Sequence, residues 1–279
     1  MIQIIIQEKL GVSNPQDWEG YLDDINLGFN KIKLEKDFYL TIILNRIADN
    51  LPDLIFKWWT CLNKVHFGYY RLSEDLDFVV LTDDGDYVRK KLLKMYKQKL
   101  SEFMETLWCQ IQAWRTRFNS NIQGMYRFFY KSFINGSEQE IKIDIHLQKD
   151  LMNTPQKLPI KHIFINTING LPIFESKHIH CLHLDEAMAE KMRAWLTRQE
   201  SAIRDFFDIR HAKNKWYDFH KIKDLIHKKV EEVGKAYTLE TNYASLKKQI
   251  DTDLHPVLGN NIWTFDFDQI YEFVLSFTH

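Results

Sequence analysis

The sequence predicts an α+β fold, with strands in the middle of the chain and helices at both ends. Three observations carry this. Only 10 glycines and 6 prolines punctuate 279 residues, so long regular elements outweigh loops. Alternating apolar runs fall between residues 76 and 147, the period of half-buried strands. Helical spacing governs the first 50 residues and nearly everything after Asp185.

The elements follow in order. Phe38, Ile42, Ile43 and Ile47 recur at helical spacing, and Asn50-Leu-Pro closes that segment. Leu54-Ile-Phe reads as a short strand, and Thr60 to His66 as a helix. Leu76-Asp-Phe-Val-Val-Leu is a stronger strand, ended by Thr82-Asp-Asp-Gly-Asp. From Tyr87 to about Phe118 the pattern is helical, with Arg89, Lys90, Lys91, Lys94, Lys97 and Lys99 on it. Met125 to Phe133 and Ile141 to Leu147 alternate and are joined through Asn135-Gly136, a hairpin signal. Ile163 to Ile165 and Ile173-Phe174 are candidate edge strands. Asp185 is the expected N-cap of a helix reaching Arg198, or on to Asn214. Pro256 to Asn261 is a late break in the helical C-terminal region.

Charge and cysteine count limit the function. Thirty-seven basic and 38 acidic residues leave a net charge of −1, which excludes nucleic-acid binding by overall charge but not by a local basic groove. Three scattered cysteines (Cys61, Cys109, Cys181) make no disulfide framework and point to a reduced, cytoplasmic setting. Glu8 and Lys9 follow Met1-Ile-Gln-Ile-Ile-Ile too soon for a signal segment. The longest other apolar stretch, Phe38 to Ala48, is broken by Asn45 and Arg46 and is too short for a membrane span.

The most informative stretch is Arg71-Leu-Ser-Glu-Asp-Leu-Asp-Phe. In an extended chain Asp75 and Asp77 share one face, while Leu76, Phe78 and Val80 face the core. Asp144 has the same character, since Lys142, Asp144 and His146 alternate with isoleucines. Close carboxylates repel unless a cation sits between them, so the three together suit metal-assisted phosphoryl or nucleotidyl transfer. Asp-x-Asp alone is more often an ordinary solvent-facing strand pattern. The third carboxylate, in a matching strand, makes the metal reading the stronger one.

Lys57-x-x-Thr60-Cys-Leu-Asn-Lys64 followed by Arg71-x-Ser73-Glu-Asp75-Leu-Asp77 resembles motif I of the AbiEii/AbiGii-type nucleotidyltransferase toxins, polymerase-β-like enzymes that include the MenT-type toxins. Glu35-Lys-Asp-Phe-Tyr-Leu resembles the preceding helix, and Lys142-Ile-Asp144 the third-carboxylate strand. Leu184-Asp-Glu-Ala-Met-Ala-Glu-Lys191 and Arg204-Asp205-Phe-Phe-Asp208 resemble the later motifs.

The resemblance implies a small mixed sheet flanked by helices. It implies a nucleotidyltransferase domain over residues 1–180 and a helical domain over 181–279 that lends Lys and Asp to the site. Asp75, Asp77 and Asp144 would hold Mg²⁺ or Mn²⁺, and Asp144 could instead activate the acceptor. Thr60 and Ser73 would touch the phosphates of an NTP, within a nucleotide-binding set that also takes in Lys57, Trp58, Trp59, Arg71, Arg204 and Asp205. Lys191 would contact the triphosphate, and Asp208 or Asp205 would orient the site. On one continuous helix Lys191, Arg198 and Asp205 share a face. A break near 199–201 would favour Asp208 instead.

One departure matters. The family carries a Gly-Gly or Gly-Ser pair before Thr60, and this chain carries Trp58-Trp59. Glycines there let bare backbone approach phosphates; two indoles would occupy that space, and torsions open only to glycine would be lost. Catalysis is impaired or lost, or a base stacks on an indole, or the loop has rebuilt itself.

Other features are set aside. His178, His180, Cys181 and His183 invite a zinc reading, but strand spacing puts only two on one face. Trp108, Trp114 and Trp195 read as core. The basic run 89–99 and the lysines at 213, 215, 221, 223, 228 and 229 suit either solvated faces or an RNA backbone. The expected function is Mg²⁺-dependent transfer of a nucleoside monophosphate from an NTP to an acceptor, tRNA or another RNA. The setting that the resemblance implies is a toxin–antitoxin or abortive-infection system with a cognate antitoxin. The alternatives are a non-catalytic nucleotide-, RNA- or antitoxin-binding module and, further off, a metal phosphohydrolase.

Overall fold

The computed structural model describes residues 2–25, 27–107, 109–111, 116–200, 202–234, 238–258 and 266–278. Trp108 and Trp114, and the expected break at 259–261, lie outside the described residues.

The N-terminal segment forms α1 (Ile2–Leu10), α2 (Pro15–Asp24) and α3 (Lys31–Asn50). Asn14 and Asn30 cap the second and third, accepting from Asp17 N and Lys33 N, which satisfies amides that a helix start leaves without partners. Next come β1 (Ile55–Lys57), a short α4 (Trp58–Cys61) that runs into a π turn (Leu62–Phe67), and β2 (Asp75–Leu81). α5 (Asp86–Thr106) is followed by β3 (Gln110–Ile111), β4 (Arg117–Asn119), β5 (Gln123–Lys131), β6 (Glu138–Gln148), β7 (Gln156–Pro159) and β8 (His178–Cys181). The C-terminal part is helical: α6 (Leu184–Thr197), α7 (Ile203–Asn214), α8 (Lys223–Val233), α9 (Leu239–Gln249), α10 (His255–Leu258) and α11 (Phe267–Leu275).

The strands form one mixed sheet in the order β3-β5-β6-β2-β1-β8-β7, with β4 paired to β5. β2 runs parallel to β6 and antiparallel to β1, and β8 runs parallel to β1. One face, carrying Leu76, Phe78, Val80, Ile141, Ile143 and Ile145, packs against α3 and α5. The other carries Ile55 and Val79 into a second core built from α6 to α11. The carboxylate positions of β2 and β6 share this second face.

Several expectations need correction. The helix expected to reach Phe118 ends at Thr106, where the amides of Leu107 and Cys109 both return to the Met104 carbonyl. β4 and β5 are joined by a tight turn with Ser120 and Asn121 at φ 46° and 55°, the twist-matched hairpin geometry, formed without glycine. The edge strands expected at 163–165 and 173–174 reduce to a bridge between Ile165 and Pro172; proline has no N–H to extend it. His183, not Asp185, caps α6, its Nδ1 accepting from Asp185 N at 3.2 Å. Asp185 instead accepts from Tyr217 at 2.6 Å and pairs with Lys221. Pro256 falls inside α10. The helix after Leu184 stops at Thr197, which breaks the continuity assumed for Lys191, Arg198 and Asp205. Trp195 is fully buried, as expected for core.

Candidate active site

Register places the carboxylates. Asp77 stands opposite Asp144 on β6 and opposite Lys57 on β1, while Asp75 stands opposite Lys142. Residues directly opposite in a sheet point to the same face, so Asp75, Asp77, Asp144 and Lys57 line one surface. Asp77 is 5% exposed. Burial, with the charges of Asp144 and Asp75 adding and Lys57 opposing, pushes its carboxyl up to about 8. Burial also raises Asp144, against the pull of Arg127, which donates to Asp144 Oδ1 at 2.6 Å. Asp75 Oδ1 is buried with no hydrogen-bond donor, and its nearest cation is Lys142 at 3.9 Å. Three acidic groups with an orphaned oxygen and a carboxyl short of counter-charge are a donor set that suits a hard divalent cation, although their oxygens do not all lie within 4.8 Å of one another here.

A second cluster sits beside the first. Arg71 grips Asp208 with two bonds, Nε to Oδ1 at 2.6 Å and Nη2 to Oδ2 at 2.9 Å. Lys191 donates to Asp208 Oδ2 at 2.5 Å and to Asp205 Oδ1 at 3.4 Å, and Arg198 reaches Asp205 at 3.6 Å. Burial would raise Asp208, but Arg71 and Lys191 outweigh it and hold the carboxyl at about 2. Burial raises Asp205 and lowers Lys191. The cluster ties α6 and α7 to the segment that leads into β2. Lys191 lies nearer Asp208 than Asp205, the preference expected if the helix breaks.

Trp58 and Trp59 bridge the two clusters. Trp58 Nε1 donates to Glu190 Oε2 at 2.8 Å, Lys57 lies 4.6 Å from the ring, and His146 stacks obliquely at 5.6 Å. Trp59 lies under Lys191 Nζ, 3.5 Å from the ring centroid, with Arg71 at 5.9 Å. Arg198 faces both indoles. Trp58 sits at φ 59°. The left-handed torsion expected to be lost without glycine is therefore kept, at a cost of roughly 1–2 kcal/mol for a residue with a Cβ. The cavity between Trp58, Trp59, Glu190, Lys191 and Arg198 is about 10 Å³, far below the several hundred Å³ a nucleotide-sized ligand fills.

Thr60 and Ser73 do not face this cavity. They hydrogen-bond each other at 2.5 Å, and Thr60 also bonds the Asp75 carbonyl, both side chains buried. They brace the start of β2. Lys64 is likewise internal, held by Asp37, Thr41 and Tyr69 at 2.6–3.0 Å, which pins the π turn to α3.

Other groups escaped sequence reasoning. Lys33 and Lys36 project from α3 towards Asp75 and Lys142, with Arg204 close to Lys33. Burial draws Lys36 down to about 8. Their spacing on one helical face was the available signal. Arg127 could have been found from the hairpin register opposite Lys142. The basic run on α5, by contrast, lies across the sheet from the carboxylates, because Leu93, Tyr96, Leu100 and Met104 pack under the opposite face. Of the set-aside zinc group, His178 and His180 are exposed and His183 caps α6, while Cys181 turns inward.

The family described as nucleotidyl transferase AbiEii toxin, type IV TA system, matches residues 42–276. The chain belongs to this family of nucleotidyl-transferring toxins. JHP933 from Helicobacter pylori is similar in structure, with a TM-score of 0.50 and 15% identity over 89% of this chain and 91% of that one. A candidate nucleotidyltransferase from H. pylori is similar at a TM-score of 0.51 and 18% identity, over 89% of this chain and 94% of that one. At these identities the likeness concerns the fold. No curated protein matches the sequence. Among the described residues no helix is long and apolar enough to cross a membrane.

Proposed function

We propose that this chain transfers a nucleoside monophosphate from an NTP to an RNA acceptor, tRNA being the first candidate, at the face bearing Asp75, Asp77 and Asp144, and that Trp58 and Trp59 hold the transfer rate low. The observation that carries this is the register Asp77–Asp144 with the orphaned Asp75 oxygen beside it. The three carboxylates would hold Mg²⁺ or Mn²⁺, which when bound neutralises triphosphate charge and acidifies a coordinated hydroxyl. Arg127 orients Asp144. An acceptor hydroxyl oxygen attacks the α-phosphorus, its proton passes to Asp144, and the bond to pyrophosphate breaks. Lys142 and Arg204 offer positive charge near Asp75 on which an RNA backbone would lie, while Lys33 is taken by Glu74 and Lys36 is buried behind them. Lys191 serves the triphosphate once Trp59 leaves it; Asp208 and Asp205 position Lys191. In this reading residues 1–180 form the transferase domain, 181–279 supply Lys191 and Asp208, and the protein works in the cytoplasm beside a cognate antitoxin.

The filled cavity favours a second reading, a module that binds nucleotide, RNA or antitoxin without chemistry. Label transfer separates the two. The chain is incubated with each α-labelled NTP, Mg²⁺ and total tRNA. Label on RNA that disappears in Asp75→Ala/Asp77→Ala supports transfer. Bound NTP without product supports the module, and free labelled nucleotide without labelled RNA supports a hydrolase.

A further inference from the structure

Cys61 ends α4, His66 lies in the π turn five residues later, and Cys181 ends β8 beside β1. Their ligand atoms all lie within 4.8 Å of one another, and among the described residues this is the only group of three or more His, Cys, Asp or Glu side chains so converged. Both cysteines are fully buried and His66 is half-buried. From this convergence we propose that Cys61, His66 and Cys181 form a binding site for a thiophilic d-block cation, Zn²⁺ in the first instance, separate from the carboxylate face.

The donor chemistry fits. Two thiolates and one imidazole are a borderline-soft set that prefers Zn²⁺ over Mg²⁺ or Ca²⁺. The imidazole is already oriented to bind a cation, since His66 Nε2 lies 3.1 Å from the Leu182 carbonyl. Donation from Nε2–H to that oxygen leaves Nδ1 with its lone pair, the tautomer that metal-binding histidines adopt. The turn carrying His66 is held from outside as well. Lys161 N donates to the Lys64 carbonyl at 2.6 Å, and Lys161 Nζ donates to the His66 carbonyl at 2.8 Å. The Cys181 thiol donates to the Gln156 carbonyl at 3.5 Å, a bond that a metal-bound thiolate would give up.

The position gives the site its consequence. Cys61 is three residues after Trp58, and Cys181 is three residues before the start of α6, which carries Glu190 and Lys191. A cation here would clamp the short helix bearing both indoles to the strand that leads into their partners. The remaining cysteine, Cys109, is buried in the same core but just before β3, towards the opposite edge of the sheet from β8.

The test uses Co²⁺ as a spectroscopic stand-in, followed by displacement with Zn²⁺, on the full reduced, metal-free chain. One equivalent should give thiolate-to-Co²⁺ charge-transfer absorption that Zn²⁺ abolishes. Affinity should fall at least roughly tenfold in His66→Ala, and the absorption should vanish in Cys181→Ser. The Asp75→Ala/Asp77→Ala variant should keep the absorption, so failure here is distinct from failure of the transferase reading. Should Cys181→Ser not fold, X-ray absorption of the Zn²⁺-loaded unaltered chain decides: its zinc should be held by two sulfurs and one imidazole nitrogen. Absence of the thiolate band at stoichiometric Co²⁺, a band that survives both substitutions, or a zinc shell without sulfur would overturn the proposal.

Discussion

Lys191 Nζ stands 3.5 Å above the centre of the Trp59 indole and 2.5 Å from Asp208 Oδ2. The cation assigned to the triphosphate in the proposed reaction is thus neutralised from one side and covered from the other. A buried ammonium over an indole gains roughly 1–2 kcal/mol, and a nucleotide must displace that contact. Trp59→Ala should therefore tighten Mg²⁺-dependent NTP binding roughly tenfold, measured by equilibrium dialysis. Unchanged affinity would show that Trp59 does not obstruct the site.

Arg71 and Asp208 form a buried two-bond pair that joins α7 to the approach to β2. Arg71→Ala leaves Asp208 with Lys191 as its one close cation and should cost roughly 3–5 kcal/mol, read from denaturant unfolding. Arg71→Lys should recover only part, since an ammonium cannot reproduce the guanidinium fork. Arg204→Ala, at a half-buried cation with no carboxylate partner among the described residues, should stay within roughly 1 kcal/mol.

Two buried histidines should make acid destabilise the protein above the ordinary carboxylate range. Burial holds His146 down at about 3, helped by Lys57, and His211 at about 4, helped by Lys215. In the unfolded chain both take up protons near pH 6.5. Between those values the unfolded state binds more protons, so stability rises with pH there. Unfolding free energy should start to fall below about pH 6.5. A further loss follows from about pH 4 towards 2, as Asp208 is protonated. Denaturant midpoints at pH 7, 5 and 4 check this, and His146→Gln should flatten the first step.

Asp77 works in the opposite direction. Its folded value of about 8 lies above the ordinary carboxyl range. Its contribution is therefore full below about pH 4 and is lost as pH rises through 8. Asp77→Asn should stabilise the metal-free chain at pH 9 by on the order of 2–4 kcal/mol while abolishing label transfer. Thermal unfolding at pH 6 and 9 measures the first effect. Mg²⁺ should restore alkaline stability in the unaltered chain and not in Asp77→Asn.

Periodicity and register explain what the sequence revealed. Alternation put Asp75 and Asp77 on one face of β2 and Asp144 on the polar face of its own strand, and the pairing of β2 with β6 then brings all three onto one sheet face. The helical ends were legible from apolar spacing. Side-chain partnerships were not legible. Arg71 was expected at the nucleotide, yet it grips Asp208, 137 residues away. Thr60 and Ser73 were expected at phosphates, yet they bond each other. Such pairings depend on how two helices dock on the sheet, which no local pattern encodes. The torsion of Trp58 was also hidden, since a tryptophan in the left-handed region is kept there by Glu190, Lys57 and the surrounding fold rather than by its own preference. Cys61, His66 and Cys181 converge only because β8 lies parallel to β1.

If two indoles hold an intact carboxylate site in check, removing them should release it. The most direct measurement is label transfer from α-labelled NTPs to total tRNA by Trp58→Gly/Trp59→Gly beside the unaltered chain, with Asp75→Ala/Asp77→Ala added to the glycine version as control. We expect transfer by the glycine version to exceed that of the unaltered chain at least tenfold and to vanish with the two aspartates. Equal transfer with and without the indoles, or transfer that survives loss of Asp75 and Asp77, would contradict the account.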